Sequence, residues 1–361
     1  SAATKPWPSH LDPLFGKSLP VAVVVGLLAL ASGLAGLWLV RARSEKEPPF
    51  PLSYAPPEGI SPGQAAYLLE EVLPTRAFIG SLLYAAERGA ITMTQDGEKL
   101  VISTVGDGSA WDQLDVPTQG IAAMLSLKKE GATFTLDPKS AVASGKMQDA
   151  IRAFRGRVEN WGKEAQLIGP SRLGVHGPWL LLATFVLTAA LLLFAPWDMA
   201  LLGLVPGMFW VFGTGIGAPG GNTKRTPAGR DLWSRVGGFK RMLATPSAES
   251  RFDFSGRNEL YSAYIPWAVA FDCAKEWAAK YEAEIGTPPP APDYIGADSA
   301  GASTALTSAT GLAFLDSMTS SFDSAASAAI STYSAGSSST GSFWSSGGSS
   351  GGGGGGFSGG G

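Results

Sequence analysis

Three long apolar runs interrupt an otherwise mixed pattern of hydrophobic and polar positions along the chain. The first covers residues 19–40, where 22 consecutive residues carry no charge, and a helix of that length is about 33 Å long. The second run covers 178–195 and the third 199–217, with Asp198 in the short turn between them. Since the hydrocarbon core of a bilayer is about 30 Å thick, this pattern predicts three membrane-spanning helices, the last two as a helical hairpin.

The hairpin has a soluble alternative, because each of its two runs is near the lower length limit for a span. Two buried core helices of a soluble protein would show a similar composition. The membrane interpretation is favoured because the only charge lies in the turn and tryptophans lie near the predicted interfaces, where amphipathic rings are common. These tryptophans are Trp179, Trp197 and Trp210.

Lysine and arginine residues flank the three runs unevenly. Lys17 is the only basic residue close before the first run, with Lys5 further from it, and none lies in the hairpin turn, whereas the opposite ends carry most of them. The latter are Arg41, Arg43, Lys46, Arg172, Lys224, Arg225 and Arg230. Because cytoplasmic loops carry the excess of basic residues, we expect the N-terminus and the turn outside. Residues 41–177 and everything after about residue 218 are then cytoplasmic.

The predicted cytoplasmic domain, residues 61–177, follows a Pro-rich linker over 41–60 and has the element order of a small mixed domain. Ser61 and Gln64 fit a capping box that predicts the start of a first helix, and a second helix is expected over 75–88. Alternating apolar residues around an Asp-Gly turn then predict a β-hairpin. Helix, helix and hairpin is the order of a winged-helix unit. The expected fold class is therefore an α-helical multi-pass membrane protein with a cytoplasmic α+β winged-helix-like domain.

A longer helix is predicted near the end of this domain, after a helix over 118–129 and a strand over 132–136. Its apolar positions recur at spacings of four, three, four and three residues, which places them on one face. They are Met147, Ile151, Phe154, Val158 and Trp161, and the opposite face carries Arg152, Arg155 and Arg157. Two interpretations stay open: a basic face that lies on anionic lipid, or a core-facing stripe with a solvated basic face, which is the commoner arrangement.

A cytoplasmic helical segment, 218–285, and a low-complexity tail follow the third run. One helix is predicted over 227–245 and another over 258–284, where Pro266 should kink or divide it. Residues 286–361 are rich in Ser, Ala and Gly and lack Lys and Arg. Such a composition cannot bury enough apolar surface to offset the entropy of ordering, so we expect a disordered Gly/Ser-rich tail.

Composition supports the membrane placement and argues against nucleic acid as a partner. Hydrophobic residues make up 45% of the chain and charged residues 16%, against about 25% charged in a typical soluble domain. Residues 41–177 hold 15 basic and 16 acidic residues, a net charge of −1. Because contacts with phosphate dominate affinity for DNA, a segment without excess positive charge is not expected to bind it. The single cysteine, Cys273, is interpreted as a small packed side chain.

No arrangement typical of catalysis or metal binding is visible in the sequence. The two histidines, His10 and His176, are predicted outside the membrane and beside a span, which argues against a histidine-based metal site or triad. Glu70 and Glu71 are adjacent on a helix and are interpreted as a solvated face. The glycine strings form no phosphate-binding motif, and no ionisable residue interrupts a predicted span. We therefore expect no catalytic, cofactor-binding or metal-binding residues and no enzyme activity.

Three stretches resemble landmarks of a known family, in the right order. They are YAPPEGISPGQAAYLL at 54–69, LLYAAERGAI at 82–91, and YIPWAVAF at 264–271 with KEW at 275–277. The chain resembles the predicted bacterial membrane proteins called domain of unknown function 2207 (YciQ-like). The resemblance implies this membrane topology, and a signal peptide and extracytoplasmic β-rich domain ahead of the chain, whose end would be the extracytoplasmic linker 1–18. It implies no reaction and no site residues.

The leading hypothesis is an integral protein of the bacterial plasma (inner) membrane that acts as a scaffold through its cytoplasmic domain. Its expected partners are the lipid bilayer and other envelope or cytoplasmic proteins, with no cofactor and no small-molecule ligand. The alternative is a membrane-anchored regulator that binds nucleic acid through the winged-helix-like module. A third hypothesis places an enzyme active site in a preceding domain, which these residues do not test.

Overall fold

The computed structural model describes residues 19–43, 45–96, 99–137, 139–194, 202–217, 223–245, 258–287, 289, 292 and 294–296. In chain order the elements are α1 (Leu19–Arg43), α2 (Pro62–Glu70), α3 (Thr75–Glu87), β1 (Ile91–Asp96), β2 (Lys99–Thr104), α4 (Val116–Leu125), β3 (Thr133–Leu136), α5 (Ala141–Glu164), β4 (Ile168–Pro170), α6 (Arg172–Phe194), α7 (Leu204–Gly213), β5 (Thr223–Arg225), α8 (Pro227–Ala244), α9 (Asn258–Ala270), α10 (Ala274–Ile285) and β6 (Ile295–Gly296). Short 3-10 helices lie at Ser109–Gln113 and Thr214–Gly217. The predicted linker 1–18, the turns at Asp198 and Gly97, and tail residues 297–361 lie outside the described residues.

Two of the three predicted spans are long apolar helices. α1 and α6 contain segments that are long and apolar enough to cross a membrane, Ala22–Ala42 and His176–Leu193. α6 begins earlier than the predicted residue 178, and Pro178 lies inside it. The third predicted span, 199–217, contains a shorter apolar helix, α7, that continues into a 3-10 helix.

α1 packs against α7 through its smallest residues. Gly33 contacts side chains of α7, and a Cβ atom at Gly36 would lie 3.0 Å from the carbonyl oxygen of Phe209 and 3.1 Å from the amide nitrogen of Gly213. Gly26, by contrast, faces open space. Small residues let two helix backbones approach closely, and Gly33 and Gly36 have this role between α1 and α7.

Substitution of Gly36 by leucine is expected to loosen α1 from α7, because the new side chain would enter a gap closed by backbone atoms. Gly26→Leu is the matched control, since its side chain would project into open space. Thermal unfolding in detergent micelles, followed by tryptophan fluorescence, should show Gly36→Leu destabilised by about 1 to 2 kcal/mol. Equal melting temperatures for the two variants would contradict the close contact between α1 and α7.

The two helices predicted at the start of the domain 61–177 are present in the structure. α2 begins after Ser61, whose backbone N–H donates to the Gln64 side chain at 2.8 Å, and Pro62 occupies the first helical position. α3 buries an apolar face, and Gly89 beyond its end takes a φ of 73°. The buried residues of that face are Phe78, Leu82, Leu83 and Ala86.

A four-stranded sheet, in the order β3-β2-β1-β6, follows these helices. β1 and β2 form the predicted antiparallel hairpin, with Ile91 opposite Thr104, and β3 pairs with the other side of β2. β6 adds to the free side of β1 in parallel, with Met93 opposite Ile295. β6 lies within the predicted disordered tail, so strand pairing extends further along the chain than composition indicates.

α5 directs its predicted apolar stripe into the core. Met147, Phe154 and Val158 are buried, and the Phe154 ring meets the ring of Phe78 edge to face at 5.6 Å. Ile151 and Trp161 are partly buried against the same core. The stripe is therefore a packing face, as the commoner interpretation has it.

The arginines of α5 are used within the domain. Arg155 donates to the carbonyl oxygen of Leu73 at 2.8 Å, and Arg157 donates to that of Gly120 at 3.4 Å. Arg152 is exposed and pairs with a neighbouring carboxylate on the same helix. Two of the three arginines thus attach α5 to its own domain, which weakens the interpretation of a lipid-binding basic face.

The helix predicted over 258–284 is divided, but not at the proline. α9 ends at Ala270 and α10 begins at Ala274, with Asp272 at a φ of 62° between them. Pro266 lies inside α9. The break therefore comes from Asp272, which has a left-handed backbone conformation. Residues with a Cβ adopt this conformation only when their surroundings fix it.

The aromatic residues of α9 form part of the core. The ring of Phe239 in α8 lies 5.1 Å from Tyr264 and 5.6 Å from Trp267, both edge to face. Such edge-to-face pairs are favourable because the positive ring edge meets the negative ring face. These aromatics attach α9 to α8.

Candidate functional site

A two-stranded antiparallel ribbon joins the two ends of the apolar hairpin. β4 leads into α6, and β5 follows α7, with Ile168 opposite Arg225 and Pro170 opposite Thr223. Backbone hydrogen bonds between the strands hold the start of one apolar helix beside the exit from the other. The ribbon is therefore the place where the hairpin joins the rest of the protein.

The residues that follow α1 lie along α8 as an extended strap, which we define as residues 45–54. Three side chains of α8 donate to strap carbonyl oxygens: Arg230 to Lys46, Ser234 to Pro49 and Arg241 to Phe50. Pro-rich segments favour an extended conformation without internal hydrogen bonds, so their carbonyls are free to accept from side chains. The predicted linker 41–60 is thus attached to α8 along part of its length.

Two adjacent glycines let the strap approach α8 closely. A Cβ atom at Gly237 would overlap the ring of Phe50, and one at Gly238 would overlap the carbonyl oxygen of Pro51. Each glycine inside a helix costs about 1 kcal/mol relative to alanine. The contact with the strap explains why α8 carries two of them in its middle.

Arg225, the last residue of β5, binds two carboxylates at the centre of this junction. Its guanidinium lies 2.9 Å from Glu45 and 2.6 Å from Glu71, and it also donates to the carbonyl oxygens of Leu68 and Leu69 in α2. The side chains of Arg225, Glu45 and Glu71 are 5%, 6% and 8% exposed. This Arg225 cluster, defined as these three residues, connects the strap, α2 and the ribbon.

Trp233 of α8 covers the guanidinium from a further side. The guanidinium carbon lies 3.8 Å from the Trp233 ring centroid, and Phe50 of the strap meets the indole at 6.0 Å in an edge-on arrangement. A cation–π contact between desolvated groups contributes about 2 kcal/mol. The indole also excludes water from Arg225, which strengthens its interaction with both carboxylates.

Two residues at the junction have backbone conformations that are rare outside glycine. Glu71 and Gln166 both have a φ of 54°, which costs about 1 to 3 kcal/mol each unless the surroundings compensate. The Thr223 hydroxyl donates to the Glu71 carboxylate at 2.5 Å, and the Thr226 hydroxyl donates to the Gln166 carbonyl at 2.8 Å. The ribbon and the start of α8 thus hold both residues in place.

The structure corrects one interpretation from the sequence and extends another. The predicted solvated face is wrong for Glu71, because the left-handed turn after α2 directs its carboxylate into the Arg225 cluster. Glu70 does stay partly exposed and pairs with Arg76 at 2.7 Å. The sequence predicts Arg225 only as one of several cations beside a span. In the structure it is a buried cation that forms salt bridges with two carboxylates.

The interactions at this junction are ion pairs between one buried arginine and two buried carboxylates. Every carboxylate of the Arg225 cluster accepts a hydrogen bond from the guanidinium, so the cluster is well suited to hold three chain segments together. Within the described ranges, no group of three or more His, Cys, Asp or Glu side chains could hold a metal ion. His176 is exposed on α6, and His10 lies outside the described residues.

Cys273, between α9 and α10, is predicted to be unreactive in the folded protein. The residue is 2% exposed, and burial raises the pKa of its thiol to about 12, so the nucleophilic thiolate is almost absent at neutral pH. A maleimide reagent should leave the folded protein unmodified and should add one label after denaturation, as measured by mass spectrometry. Rapid labelling of the folded protein would show that this region opens readily.

The sequence model of one protein family matches residues 51–281, and the family is described as "Predicted membrane protein (DUF2207) C-terminal domain". The match covers more than half of the chain. The chain belongs to this family. The DUF2207 membership confirms the resemblance seen in the sequence and places the chain among membrane proteins of unknown function. No curated protein and no solved structure matches it.

The DUF2207 match includes two of the three residues of the Arg225 cluster. It begins within the strap and ends at Tyr281 in α10, so it includes Glu71 and Arg225, whereas Glu45 and α1 precede it. The cluster therefore connects the DUF2207 C-terminal domain to the membrane-type helix that comes before that domain.

Proposed function

We propose that this DUF2207 protein is a scaffold of the bacterial plasma membrane, with three spans and its N-terminus outside. Its cytoplasmic domain acts through contacts with other proteins and catalyses no reaction. The observation that supports this proposal is the Arg225 cluster, which binds the cytoplasmic domain to the ends of the apolar helices. A domain held in this way presents one fixed surface beside the membrane.

The cluster resists rotation of the cytoplasmic domain relative to the membrane segments. Any such movement would separate Arg225 from Glu45 or Glu71 and leave a buried charge without its partner, at a cost of about 3 to 5 kcal/mol. The strap adds hydrogen bonds from α8 to the same segment of chain. Rigid placement favours a protein that positions partners over one that opens and closes around a ligand.

α7 serves as the third span in this proposal. Together with the 3-10 residues on both sides, the chain is helical over residues 202–217, which corresponds to about 24 Å. Its close contact with Gly33 and Gly36 places it beside α1, which is long enough to cross the bilayer. Residues 297–361 remain a predicted disordered tail.

The nucleic-acid alternative rests on the winged-helix-like order of α2, α3, β1 and β2. Several arginines of this domain already bind groups within the protein: Arg76 binds Glu70, and Arg155 and Arg157 bind backbone carbonyls. Since phosphate contact dominates nucleic-acid affinity, this use of cations favours the protein-contact proposal. Binding of DNA by the full chain that weakens steeply with salt would instead favour the alternative.

Photo-crosslinking in living cells tests the scaffold proposal. A photoreactive amino acid would replace Val116 or Val142 in the full chain, since both side chains are strongly exposed on the cytoplasmic domain. Leu28, an exposed position of α1, is the control. We expect protein adducts from at least one cytoplasmic position that are absent at Leu28. Failure of both positions to capture a protein, or capture of nucleic acid, would contradict the scaffold.

An engineered cysteine tests the proposed orientation. Val142→Cys in a Cys273→Ala background places the sole thiol on an exposed position of α5, whereas the native thiol is buried and unsuitable as a reporter. An impermeant maleimide should label this cysteine only after the plasma membrane is permeabilised. Labelling in intact cells would reverse the orientation.

A further inference from the structure

The chain beyond α10 returns to the cytoplasmic domain and pairs with it. β6 lies parallel to β1, with Thr94 opposite Gly296, and the Met93 N–H donates to the Tyr294 carbonyl oxygen at 3.3 Å. Pro289 and Pro292 are buried, and Tyr294 packs against the core. These residues lie past the end of the DUF2207 match at residue 281.

Without β6, β1 would be an open edge of the sheet. The sheet order is β3-β2-β1-β6, so β6 is the strand that covers the backbone groups on the free side of β1. An uncovered edge can pair with an extended segment of another chain, and many domains bind peptides by adding a strand in this way.

A backbone carbonyl oxygen in α9 forms a specific contact with the side chain of Tyr294. Pro266 in α9 has no N–H, so the carbonyl oxygen four residues earlier, that of Ser262, lacks its usual intrahelical donor. The Tyr294 hydroxyl donates to this Ser262 oxygen at 3.2 Å. A tyrosine hydroxyl is protonated at neutral pH and therefore able to donate, and burial raises the pKa of Tyr294 further. A backbone oxygen that is partly buried and left without a donor is costly, so the contact favours tyrosine over phenylalanine.

We propose that the β1 edge and the Ser262 carbonyl form a binding groove for an extended, tyrosine-containing peptide. In this chain the occupants are its own residues 294–296, which prevent other strands from pairing with β1 and anchor the following C-terminal region to the cytoplasmic domain. The short connection from Ile285 to Tyr294 raises the effective concentration of the segment, so a weak two-residue pairing is enough to fill the groove in cis. This inference does not depend on the scaffold proposal.

A peptide exchange experiment on the full chain in detergent micelles tests the groove. The probe is a fluorescein-labelled peptide with the sequence of residues 287–299. We expect no saturable binding to the wild-type chain, whose groove is filled, and saturable binding to the Tyr294→Ala chain, whose own segment no longer docks. The Val142→Ala chain is the control, because Val142 is a strongly exposed residue of α5, and it should behave as the wild type.

Two further measurements separate the groove from simple misfolding. A probe with phenylalanine in place of its tyrosine should bind the Tyr294→Ala chain at least about fivefold more weakly, because it leaves the Ser262 oxygen without a donor. Hydrogen exchange of the Met93 amide should accelerate in that chain and slow again when the tyrosine probe is added, with the β2 and β3 amides unchanged. Equal binding by wild-type and Tyr294→Ala chains, or no binding by a Tyr294→Ala chain with protected β2 and β3 amides, would overturn the proposal.

Discussion

Replacement of Arg225 by methionine is expected to destabilise the protein by about 3 to 5 kcal/mol, because Glu45 and Glu71 would remain buried without their shared cation. Methionine has a similar length and can still pack against Trp233, so the variant isolates the loss of charge and hydrogen bonds. For a folded unit of 150–250 residues this corresponds to a melting temperature lower by about 6 to 20 °C. Scanning fluorimetry of the purified chain in micelles measures it.

Arg235 in α8, the helix that follows β5, provides a matched control. It pairs with Asp231 at 2.9 Å, but the two side chains are 56% and 71% exposed, and exposed pairs contribute little. Arg235→Met should therefore change stability by no more than about 0.5 kcal/mol. Addition of Glu45→Gln and Glu71→Gln to Arg225→Met should recover part of the loss. Equal effects of Arg225→Met and Arg235→Met would show that burial of the cluster is unimportant.

Local features of this fold could be predicted from the sequence because their causes lie within a few residues of each other. The helix start at Ser61 depends on Gln64 three positions later, and the core face of α5 depends on a spacing of three and four residues. The hairpin of β1 and β2 follows from alternation around a short turn. Each of these signals lies within one short stretch of sequence.

The junction could not be predicted in this way, since its partners are far apart in the chain. Arg225 meets Glu71 across 154 positions and Glu45 across 180, and no local pattern marks the three as a group. The paired glycines of α8 did carry a signal, because two adjacent glycines inside an amphipathic helix need a reason. That signal indicates a close contact but does not identify the strap as the partner.

The division between α9 and α10 shows how a correct local rule can be applied at the wrong residue. Pro266 removes one backbone donor, and the rule predicts a kink there. The helix continues through Pro266, and the Tyr294 hydroxyl supplies a donor to the Ser262 oxygen from outside the helix. A distant residue therefore replaces the missing hydrogen bond, which no rule restricted to neighbouring positions could anticipate.

Substitution of Gly238 by alanine is expected to destabilise the protein by about 3 kcal/mol, the upper part of the range for overpacked sites. The added methyl group would overlap the carbonyl oxygen of Pro51, and a backbone atom cannot turn away as the end of a flexible side chain can. Either the strap or α8 must shift. Since the same strap carries Glu45, the shift would also disturb the Arg225 cluster.

Gly156 provides the control for this prediction, because it also lies inside a helix and a Cβ atom there would meet nothing within 4 Å. Gly156→Ala should stabilise the protein by about 0.5 to 1 kcal/mol, the usual gain for alanine at an open helical position. The same chemical change should therefore have opposite signs at the two positions in thermal unfolding. If Gly238→Ala also stabilised the protein, the strap could not lie on α8 as described, since only close contact with Pro51 makes this glycine necessary.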